Sequence, residues 1–238
     1  MIHVCFALYD KTGHYSRFTG TAMLSLFENT KSEVTVHLLH DNTLTDDNRD
    51  KFIQIAERYK QQLKFYNVEE LCADKIAKIE ECFSQAKNSH FSIAMFYRLF
   101  IPHLLLPQGI EKVIYLDSDI IVNLDIAELW QVELENYPLA AVREVDNGVD
   151  IARYSRLVSD GFVKAETYFN SGVLLMNLKV LRNEEANISA GIKFRSEHPE
   201  YTYFDQEILN YCFESRTLNL PLKFNNMVKE LRLQEIFP

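Results

Sequence analysis

The sequence Val113-Ile114-Tyr115-Leu116-Asp117-Ser118-Asp119 joins an apolar run to two carboxylates that stand one residue apart. The apolar residues are typical of a central strand that is buried on both faces of a sheet. In an extended backbone the side chains at i and i+2 project to one face, so we expect Asp117 and Asp119 to point at one hard cation while Ser118 points away. Open α/β sheets bind ligands at the carboxyl ends of such strands. The stretch therefore predicts an α/β protein with a metal site at one sheet edge.

A purely structural explanation competes with the metal site, because Asp is common in turns where a strand leaves the core. The run Ile120-Ile121-Val122 favours the metal site, since it would hold both carboxylates between two buried segments of a strand over 112–122. Two carboxylates in such a place repel each other and lose hydration unless a cation or hydrogen-bond donors compensate.

The composition limits the classes of function. The 238 residues suit a single domain over 1–238, and the formal net charge of −9 argues against a nucleic-acid partner. An acidic protein that handles a phosphorylated ligand gains local positive charge from a divalent ion. Four scattered cysteines without zinc-site spacing indicate reduced thiols. With no basic leader and no transmembrane segment in the sequence, we expect a cytoplasmic location, with the inner face of the membrane as an alternative.

Strand and helix patterns alternate along the chain, which is the order of βαβ units. Thr45 is a predicted helix N-cap. The patterns predict strands over 1–8, 34–38, 63–68, 112–122, 139–143 and 218–220, and helices from Ser16, after Thr45, over 69–87, 89–101, 125–130 and 179–197, and from Phe204, with a long excursion over 144–167 that contains one helix.

Arg98 is the single fixed charge in the dense apolar and aromatic segment 89–101. Two explanations need no ligand: the side chain could reach the surface along its apolar stem, or it could pair with a structural Asp. The third explanation is an anion at a functional site.

Five separated motifs follow one another along nearly the whole chain. They are Cys5-Phe6-Ala7-Leu8-Tyr9-Asp10, Tyr97-Arg98-Leu99, Tyr115-Leu116-Asp117-Ser118-Asp119, Tyr168-Phe169-Asn170-Ser171-Gly172-Val173-Leu174-Leu175-Met176-Asn177 and Asp205-Gln206-Glu207-Ile208-Leu209-Asn210. In their order and approximate spacing they resemble the retaining nucleotide-sugar glycosyltransferases of family eight, which include lipopolysaccharide galactosyl- and glucosyltransferases and glycogenin.

The resemblance implies a GT-A fold, with a mixed, mostly parallel central sheet flanked by helices and a Rossmann-like nucleotide-binding half. It implies a UDP-sugar donor, a glycan or glycolipid acceptor such as bacterial lipopolysaccharide, and Mn²⁺ or Mg²⁺ held by Asp117 and Asp119. The donor-binding residues that it implies are Ala7, Leu8, Tyr9, Tyr15, Arg98, Asp117, Ser118, Asp119, Glu144, Asn170, Ser171, Asp205 and Gln206.

The same resemblance assigns catalytic roles to Arg98, Asp205 and Gln206. Arg98 would contact the donor sugar and the phosphates, and Gln206 would lie on the face where a retaining enzyme places a nucleophile. Because an amide is a poor nucleophile, we expect front-side attack by the acceptor within an ion pair, with the Gln206 carbonyl oxygen stabilising positive charge.

Two departures from the family pattern carry expectations of their own. Bacterial members commonly have an Asp where this chain has Tyr9, and the following loop looks longer, which affects the base contacts. The family's C-terminal His-x-x-Gly-x-x-Lys-Pro-Trp segment, which supplies a third metal ligand, does not follow Met227. We therefore expect either a fragment or a site of two carboxylates, phosphate oxygens and water, with weaker metal and donor binding.

Two rival functions stay open at this point. The chain could bind a donor without efficient turnover. It could also be a haloacid-dehalogenase-like phosphatase, in which an apolar strand likewise ends in Asp-x-Asp, although that motif usually lies near the N terminus and is followed by Thr or Gly. Here Ile120 follows the motif, and more than a hundred residues precede it.

Overall fold

The computed structural model describes residues 1–83, 92–144, 155–201 and 203–226. Its centre is a seven-stranded sheet. The strands are β1 (Ile2–Leu8), β2 (Val34–His40), β3 (Gln62–Asn67), β4 (Lys112–Leu116), β5 (Leu139–Arg143), β6 (Phe169–Asn177) and β7 (Thr217–Asn219).

The sheet is mixed and mostly parallel, as predicted. Its strand order is β3-β2-β1-β4-β6-β5-β7. Strand β6 runs antiparallel to both of its neighbours, β4 and β5, while the other strand pairs are parallel. The start of β6 therefore lies beside the carboxyl ends of β4 and β5, which determines where the polar residues of the site meet.

Helices cover both faces of the sheet. One face packs on α1, α2 and α6, and the other on α3 to α5, α8 and α10. Strands β1 to β6 therefore have apolar contacts on both faces, whereas β7 packs Leu218 against the first of these cores. The helices are α1 (His14–Asn29), α2 (Asp46–Arg58), α3 (Val68–Leu71), α4 (Ala73–Cys82), α5 (Ile101–Leu105), α6 (Ile126–Trp130), α7 (Arg156–Ser159), α8 (Leu178–Leu181), α9 (Glu185–Glu197) and α10 (Phe204–Phe213).

Local sequence signals explain several element boundaries. The Thr45 side chain accepts a hydrogen bond from the Asn48 amide, so it caps α2 as predicted. Asp125 caps the short helix α6 in the same way through the Ala127 amide. Gly13, at φ +76°, occupies the left-handed region just before α1, where a residue with a Cβ would be strained.

Four predicted elements differ from the structure. The strand expected over 112–122 ends at Leu116, and Ile121 is 58% exposed, so the carboxylates do not lie between two buried strand segments. The helices expected over 69–87 and 179–197 are each divided in two. The helix expected over 89–101 is a 3₁₀ helix over Ile93–Phe100, and α5 follows it directly with Pro102 as its second residue, because Pro is tolerated in a first turn.

Some predictions rest on residues outside the described ranges. The excursion over 144–167 contains the helix α7, but 145–154 are not described. Residues 227–238 are likewise not described, so the single domain over 1–238 without a C-terminal ligand segment stays a prediction. All four cysteines are free thiols, as expected. Within the described ranges, every helix is too short or too polar to cross the apolar core of a bilayer.

Candidate active site

The predicted site residues from three strands meet at one edge of the sheet. Asp117 directly follows β4, Glu144 directly follows β5, and Asn170 and Ser171 open the antiparallel strand β6. The Asp117 amide donates to the Gly172 carbonyl at 2.8 Å, and the Glu144 amide donates to the Tyr168 carbonyl at 3.0 Å. The reversed direction of β6 thus brings its first residues to the carboxyl ends of β4 and β5.

Asp117, Ser118 and Asp119 leave the strand in a turn, so the expected extended backbone at this motif is wrong. The buried Ser118 hydroxyl donates to the Ala7 carbonyl at 2.9 Å and joins the ends of β4 and β1. Asp119 is exposed, whereas Asp117 is partly buried. A turn and not strand pleating therefore decides where the two carboxylates point.

Arg98 is buried, with 7% of its surface exposed, and three of the predicted site residues surround it. Its Nη2 donates to Asp117 Oδ1 at 2.8 Å, and its Nη1 donates to the Ser171 carbonyl at 2.8 Å. Asp205 Oδ2 lies 3.0 Å from Nε as an ion pair, although Nε makes no hydrogen bond. The guanidinium also stacks on the Tyr115 ring at 4.4 Å. Arg98 does not reach the surface, so its unusual position reflects pairing with two Asp residues.

The charges of this cluster depend on one another. Burial raises the pKa of Asp205, and the Arg98 guanidinium limits that rise. Burial alone would lower the pKa of Arg98, but Asp117 and Asp205 outweigh it and raise that pKa. Tyr115 donates to Asp117 Oδ1 at 2.9 Å, and burial raises the pKa of its hydroxyl well above the usual value. A neutral tyrosine and a charged arginine therefore both donate to one carboxylate oxygen.

Gln206 is held in a fixed orientation beside this cluster. Its Oε1 accepts the Ser171 amide hydrogen at 3.0 Å. An amide hydrogen requires an acceptor, so the oxygen of the side chain must face Ser171 and the nitrogen must face away. The Nε2 donates to Glu144 Oε2 at 3.3 Å and to the Tyr168 hydroxyl at 3.2 Å. The Ser171 hydroxyl lies 3.5 Å from the same oxygen but has a shorter contact, 3.2 Å, with Asp205 Oδ2. When its one hydrogen bonds Asp205, the Gln206 carbonyl oxygen keeps one lone pair for another partner.

Glu144 and Asn170 complete the same edge. The Asn170 Nδ2 donates to Glu144 Oε2 at 2.8 Å, and its Oδ1 accepts the Gly172 amide at 2.8 Å and the Asn225 side chain at 2.8 Å. Asp205 Oδ2 accepts the Ser171 hydroxyl at 3.2 Å. The structure thus brings Arg98, Asp117, Glu144, Asn170, Ser171, Asp205 and Gln206 into one hydrogen-bonded cluster.

Gly172 allows the close approach of β6 to Asp117. A Cβ on this residue would lie 2.8 Å from Asp117 Oδ2 and 3.0 Å from Asn170 Oδ1. Both distances are below ordinary contact, so any larger residue would displace oxygens of the site. The requirement for glycine here comes from space and not from backbone torsion.

The donor set fits a hard divalent cation. Arg98 and Tyr115 occupy Asp117 Oδ1, while Oδ2 has no hydrogen bond from any described residue and faces the space that glycine leaves open. Asp119 adds an exposed carboxylate. Oxygen ligands of this kind suit Mn²⁺ or Mg²⁺. Among the described residues no group of three or more His, Cys, Asp or Glu side chains forms a ligand set.

The residues expected along the nucleotide lie around the end of β1. Ala7 and Tyr9 are partly buried, Leu8 is buried, and Tyr15 in the first turn of α1 is 48% exposed. The neighbouring Asp10 accepts the Ser16 hydroxyl and the Asn48 Nδ2, at 3.1 Å for the latter. Asp10 therefore links β1 to α1 and α2 through Oδ2. Its buried Oδ1 has no hydrogen-bond partner among the described residues.

Three residues of the cluster were not predicted as site residues. The Tyr115 and Tyr168 hydroxyls hold Asp117 and Gln206, and the fully buried Asn210 bonds both the Phe169 amide and the Phe169 carbonyl, at 2.9 and 2.8 Å. Asn210 also donates to the Gln206 carbonyl at 2.9 Å, so it ties α10 to β6. All three lie in the motifs quoted above. Their polar side chains stand beside apolar residues there, which could have indicated that each makes a buried hydrogen bond.

Comparisons with known proteins show the family and the fold of the chain. The model for the family described as glycosyl transferase family 8 matches residues 6–235. General stress protein A of Bacillus subtilis (strain 168) is 26% identical over 89% of this chain and 70% of that protein. The lipopolysaccharide 1,2-glucosyltransferase of Escherichia coli (strain K12) is 26% identical over 92% of this chain and 61% of that protein. The chain thus spans about two thirds of the length of these two relatives.

Solved structures give the same fold. The crystal structure of the galactosyltransferase LgtC with donor and acceptor sugar analogs superposes with a TM-score of 0.76 at 24% identity, over 98% of this chain and 78% of that one. The apo structure of the bifunctional glycosyltransferase WbbM gives a TM-score of 0.74 at 21% identity, over 98% of this chain and 44% of that one. The chain has the GT-A fold, so the predicted fold class is confirmed.

Proposed function

This chain belongs to glycosyl transferase family 8, and from that membership we propose that it is a retaining enzyme that moves glucose or galactose from a UDP-sugar to a glycan. The proposed acceptor is a bacterial cell-surface glycan, since one relative is named as a lipopolysaccharide glucosyltransferase. The proposed location is the cytoplasm or the inner face of the membrane. The cluster in which Arg98 joins Asp117, Ser171 and Asp205 beside Gln206 is the observation that carries the proposal.

The diphosphate side of the proposal rests on the two carboxylates after β4. Asp117 Oδ2 and Asp119 would hold Mn²⁺ or Mg²⁺, and the bound ion would neutralise charge on the departing UDP as a Lewis acid. The uridine would lie along Ala7, Leu8 and Tyr9, with Tyr15 offering an exposed ring to the base.

The sugar side of the proposal rests on the residues around Gln206. Glu144, Asn170 and Asp205 present oxygens and an amide at the same sheet edge, where they would bind sugar hydroxyls. The remaining lone pair of the Gln206 carbonyl would stabilise positive charge at the anomeric carbon. Because the Ser171 amide and two acceptors already fix this side chain, no reorientation is needed when that charge develops.

Arg98 has a role in this scheme that its contacts support. It supplies the positive charge that lets Asp117 and Asp205 stay close together in a buried site, and it fixes the direction of both. Direct contact between Arg98 and the donor phosphates or sugar remains part of the proposal.

Donor hydrolysis tests the proposed function. The protein is incubated with UDP-glucose or UDP-galactose and with Mn²⁺, Mg²⁺ or a chelator, and released UDP and the anomer of the released sugar are measured. We expect metal-dependent UDP release with retained configuration. We expect Asp119→Asn to lose this activity, while the matched control Asp50→Asn, which changes an exposed Asp of α2, keeps it.

Two results would contradict the proposal. Release of phosphate from p-nitrophenyl phosphate, without UDP release from UDP-glucose or UDP-galactose, would favour a phosphatase. Metal-dependent binding of UDP without hydrolysis or transfer from any UDP-hexose would leave a donor-binding protein without turnover.

A further inference from the structure

A second buried ion pair lies behind α10, on the side away from the cluster around Arg98. Arg195 of α9 and Glu207 of α10 are each 2% exposed, and Arg195 Nε lies 3.5 Å from Glu207 Oε2. Arg195 Nε donates no hydrogen bond to a described residue, and no described side chain donates one to either carboxylate oxygen of Glu207. The backbone of Tyr203 lies close enough to this carboxyl to lower its pKa. The pair is therefore fully desolvated but loosely joined.

Such a pair contributes little to stability by itself. Removing two charges from water costs several kcal/mol per ion by typical estimates, and a contact as long as 3.5 Å returns only part of that cost. A pair of well-packed apolar side chains at these positions would stabilise the fold at least as well. The effect of the two charges on the position of the neighbouring backbone therefore needs a separate explanation.

Arg195 holds the chain segment that leads into α10. Its Nη1 donates to the His198 carbonyl at 2.8 Å, and its Nη2 donates to the Tyr201 carbonyl. Its guanidinium stacks on the Phe204 ring at 4.3 Å. Together with Glu207, these contacts bind the entry and the first turn of α10 to one rigid side chain.

The first turn of α10 also carries Asp205 and Gln206. Successive helical residues are rotated by about 100°, so Glu207 projects to roughly the opposite side from Asp205. Asp205 faces Arg98 and Ser171, whereas Glu207 faces Arg195. A displacement of the first turn of α10 at Glu207 therefore also moves the Asp205 carboxylate and the Gln206 amide, which face the proposed sugar site.

We propose that Arg195 and Glu207 are positioning residues, which hold the first turn of α10 so that Asp205 and Gln206 keep their contacts with Ser171. The inference rests on the proposed glycosyl transfer for its catalytic readout. Neither residue touches the reacting atoms in this scheme. Their effect passes through the backbone of α10, where a displacement of about 1 Å can reduce a rate by about a hundredfold.

The charged and titratable groups around Glu207 come from every element packed against it. They are Arg195 on α9, Glu200 in the segment before α10, Asp205 on α10 itself, and the hydroxyls of Tyr168 and Tyr201. Burial raises the pKa of Glu207 to about 7, and Arg195 opposes that rise. The protonation of Glu207 therefore changes in the neutral range, which provides a second readout of the pair.

The test compares turnover with donor affinity in matched variants. We expect Glu207→Gln and the doubly apolar variant Arg195→Met/Glu207→Leu to lower kcat for UDP-sugar hydrolysis by about tenfold or more. We expect their affinity for UDP with Mn²⁺ to stay near the wild-type value, because Asp117 and Asp119 are not moved. The pair of the exposed Arg216 and the partly buried Glu184, which lies away from the site, provides the control, and Arg216→Met should change neither quantity.

An independent readout does not require turnover. The Ser171 amide hydrogen, which bonds Gln206 Oε1, should exchange with solvent about tenfold faster in Glu207→Gln than in wild type, and at the wild-type rate in Arg216→Met. If the wild-type protein hydrolyses no UDP-sugar, the proposed function fails, and this exchange rate still decides the positioning role. Unchanged kcat and unchanged Ser171 exchange in the folded double variant would overturn the inference. An equal loss of kcat and UDP affinity would overturn it as well.

Discussion

Replacement of Arg98 by methionine should destabilise the protein more than almost any other single change at the sheet edge. Methionine keeps the length of the stem but removes the cation from between Asp117 and Asp205. The Asp205 side chain is 11% exposed, so it cannot regain its hydration, while Asp117, at 32%, can do so in part. The Ser171 carbonyl also loses its charged donor.

The expected cost follows from the class of interaction. Breaking a buried ion pair by removing one partner costs about 3–5 kcal/mol, since the remaining charge is left uncompensated. Because Asp117 is partly solvated, we expect a value near the lower end for this site, about 3 kcal/mol. A second change, Asp205→Asn, removes the stranded charge and should restore on the order of 2 kcal/mol.

Urea unfolding at pH 7, followed by the fluorescence of the single tryptophan, measures this free energy. The exposed Arg182 serves as the matched control, and Arg182→Met should unfold close to the wild-type midpoint. Lower pH should narrow the gap between Arg98→Met and wild type, because Asp205, whose pKa is already raised by burial, then takes up a proton. Equal stability of Arg98→Met and Arg182→Met at pH 7 would refute the reasoning.

Three further changes have clear expected outcomes. Gly172→Ala should reduce the metal-dependent affinity for UDP, measured by calorimetry, because its Cβ would lie 2.8 Å from Asp117 Oδ2. The control Gly20→Ala, whose Cβ would have its nearest contact at 3.5 Å, should keep that affinity, and equal affinities of the two variants would contradict this account. Asn210→Ala should cost about 2 kcal/mol in urea unfolding, because it leaves the buried Phe169 amide and carbonyl unpaired, and a cost below about 0.5 kcal/mol would count against it. Burial raises the pKa of Glu207 to about 7, so this residue contributes stability that is fully present below pH 4.5 and is lost as the pH rises through about 7. Glu207→Gln should therefore flatten the fall in stability over that pH range. An unchanged dependence of thermal unfolding on pH would refute the assignment.

Much of the site could be predicted because its residues lie at the ends of apolar runs. The runs before Asp117 and Glu144 are buried strands, and both residues follow directly after the strand end. Arg98 was recognisable as an isolated charge among apolar residues, and the structure gives it the Asp partners that one of the explanations required.

The remaining errors have local physical causes. The residues Ile120 to Val122 are apolar enough to continue a strand, but the chain turns at Ser118, whose hydroxyl bonds the Ala7 carbonyl, and no pattern in the sequence reports that contact. Strand β2 is buried along its whole length, although its sequence alternates in part, because helices cover both faces of the sheet.

The sequence did not predict the ion pair of Arg195 and Glu207 for a different reason. Arg195 lies in a segment rich in charged residues, where an exposed side chain is the usual outcome, and its partner follows in a separate helix. The direction of β6 could not be predicted either, since an apolar strand has the same composition whether it pairs parallel or antiparallel. This direction places Gly172 beside Asp117 and Ser171 beside Asp205.

The binding of UDP with and without manganese tests the central claim most directly. Calorimetric titration of wild type should show UDP binding about tenfold or more tighter when Mn²⁺ is present, a difference of about 1.4 kcal/mol. That gain should disappear in Asp119→Ala, which removes an exposed carboxylate after β4, and should persist in Asp50→Ala. If the affinity for UDP is the same with and without Mn²⁺, or if Asp119→Ala keeps the full gain, the two carboxylates do not hold a cation against the diphosphate.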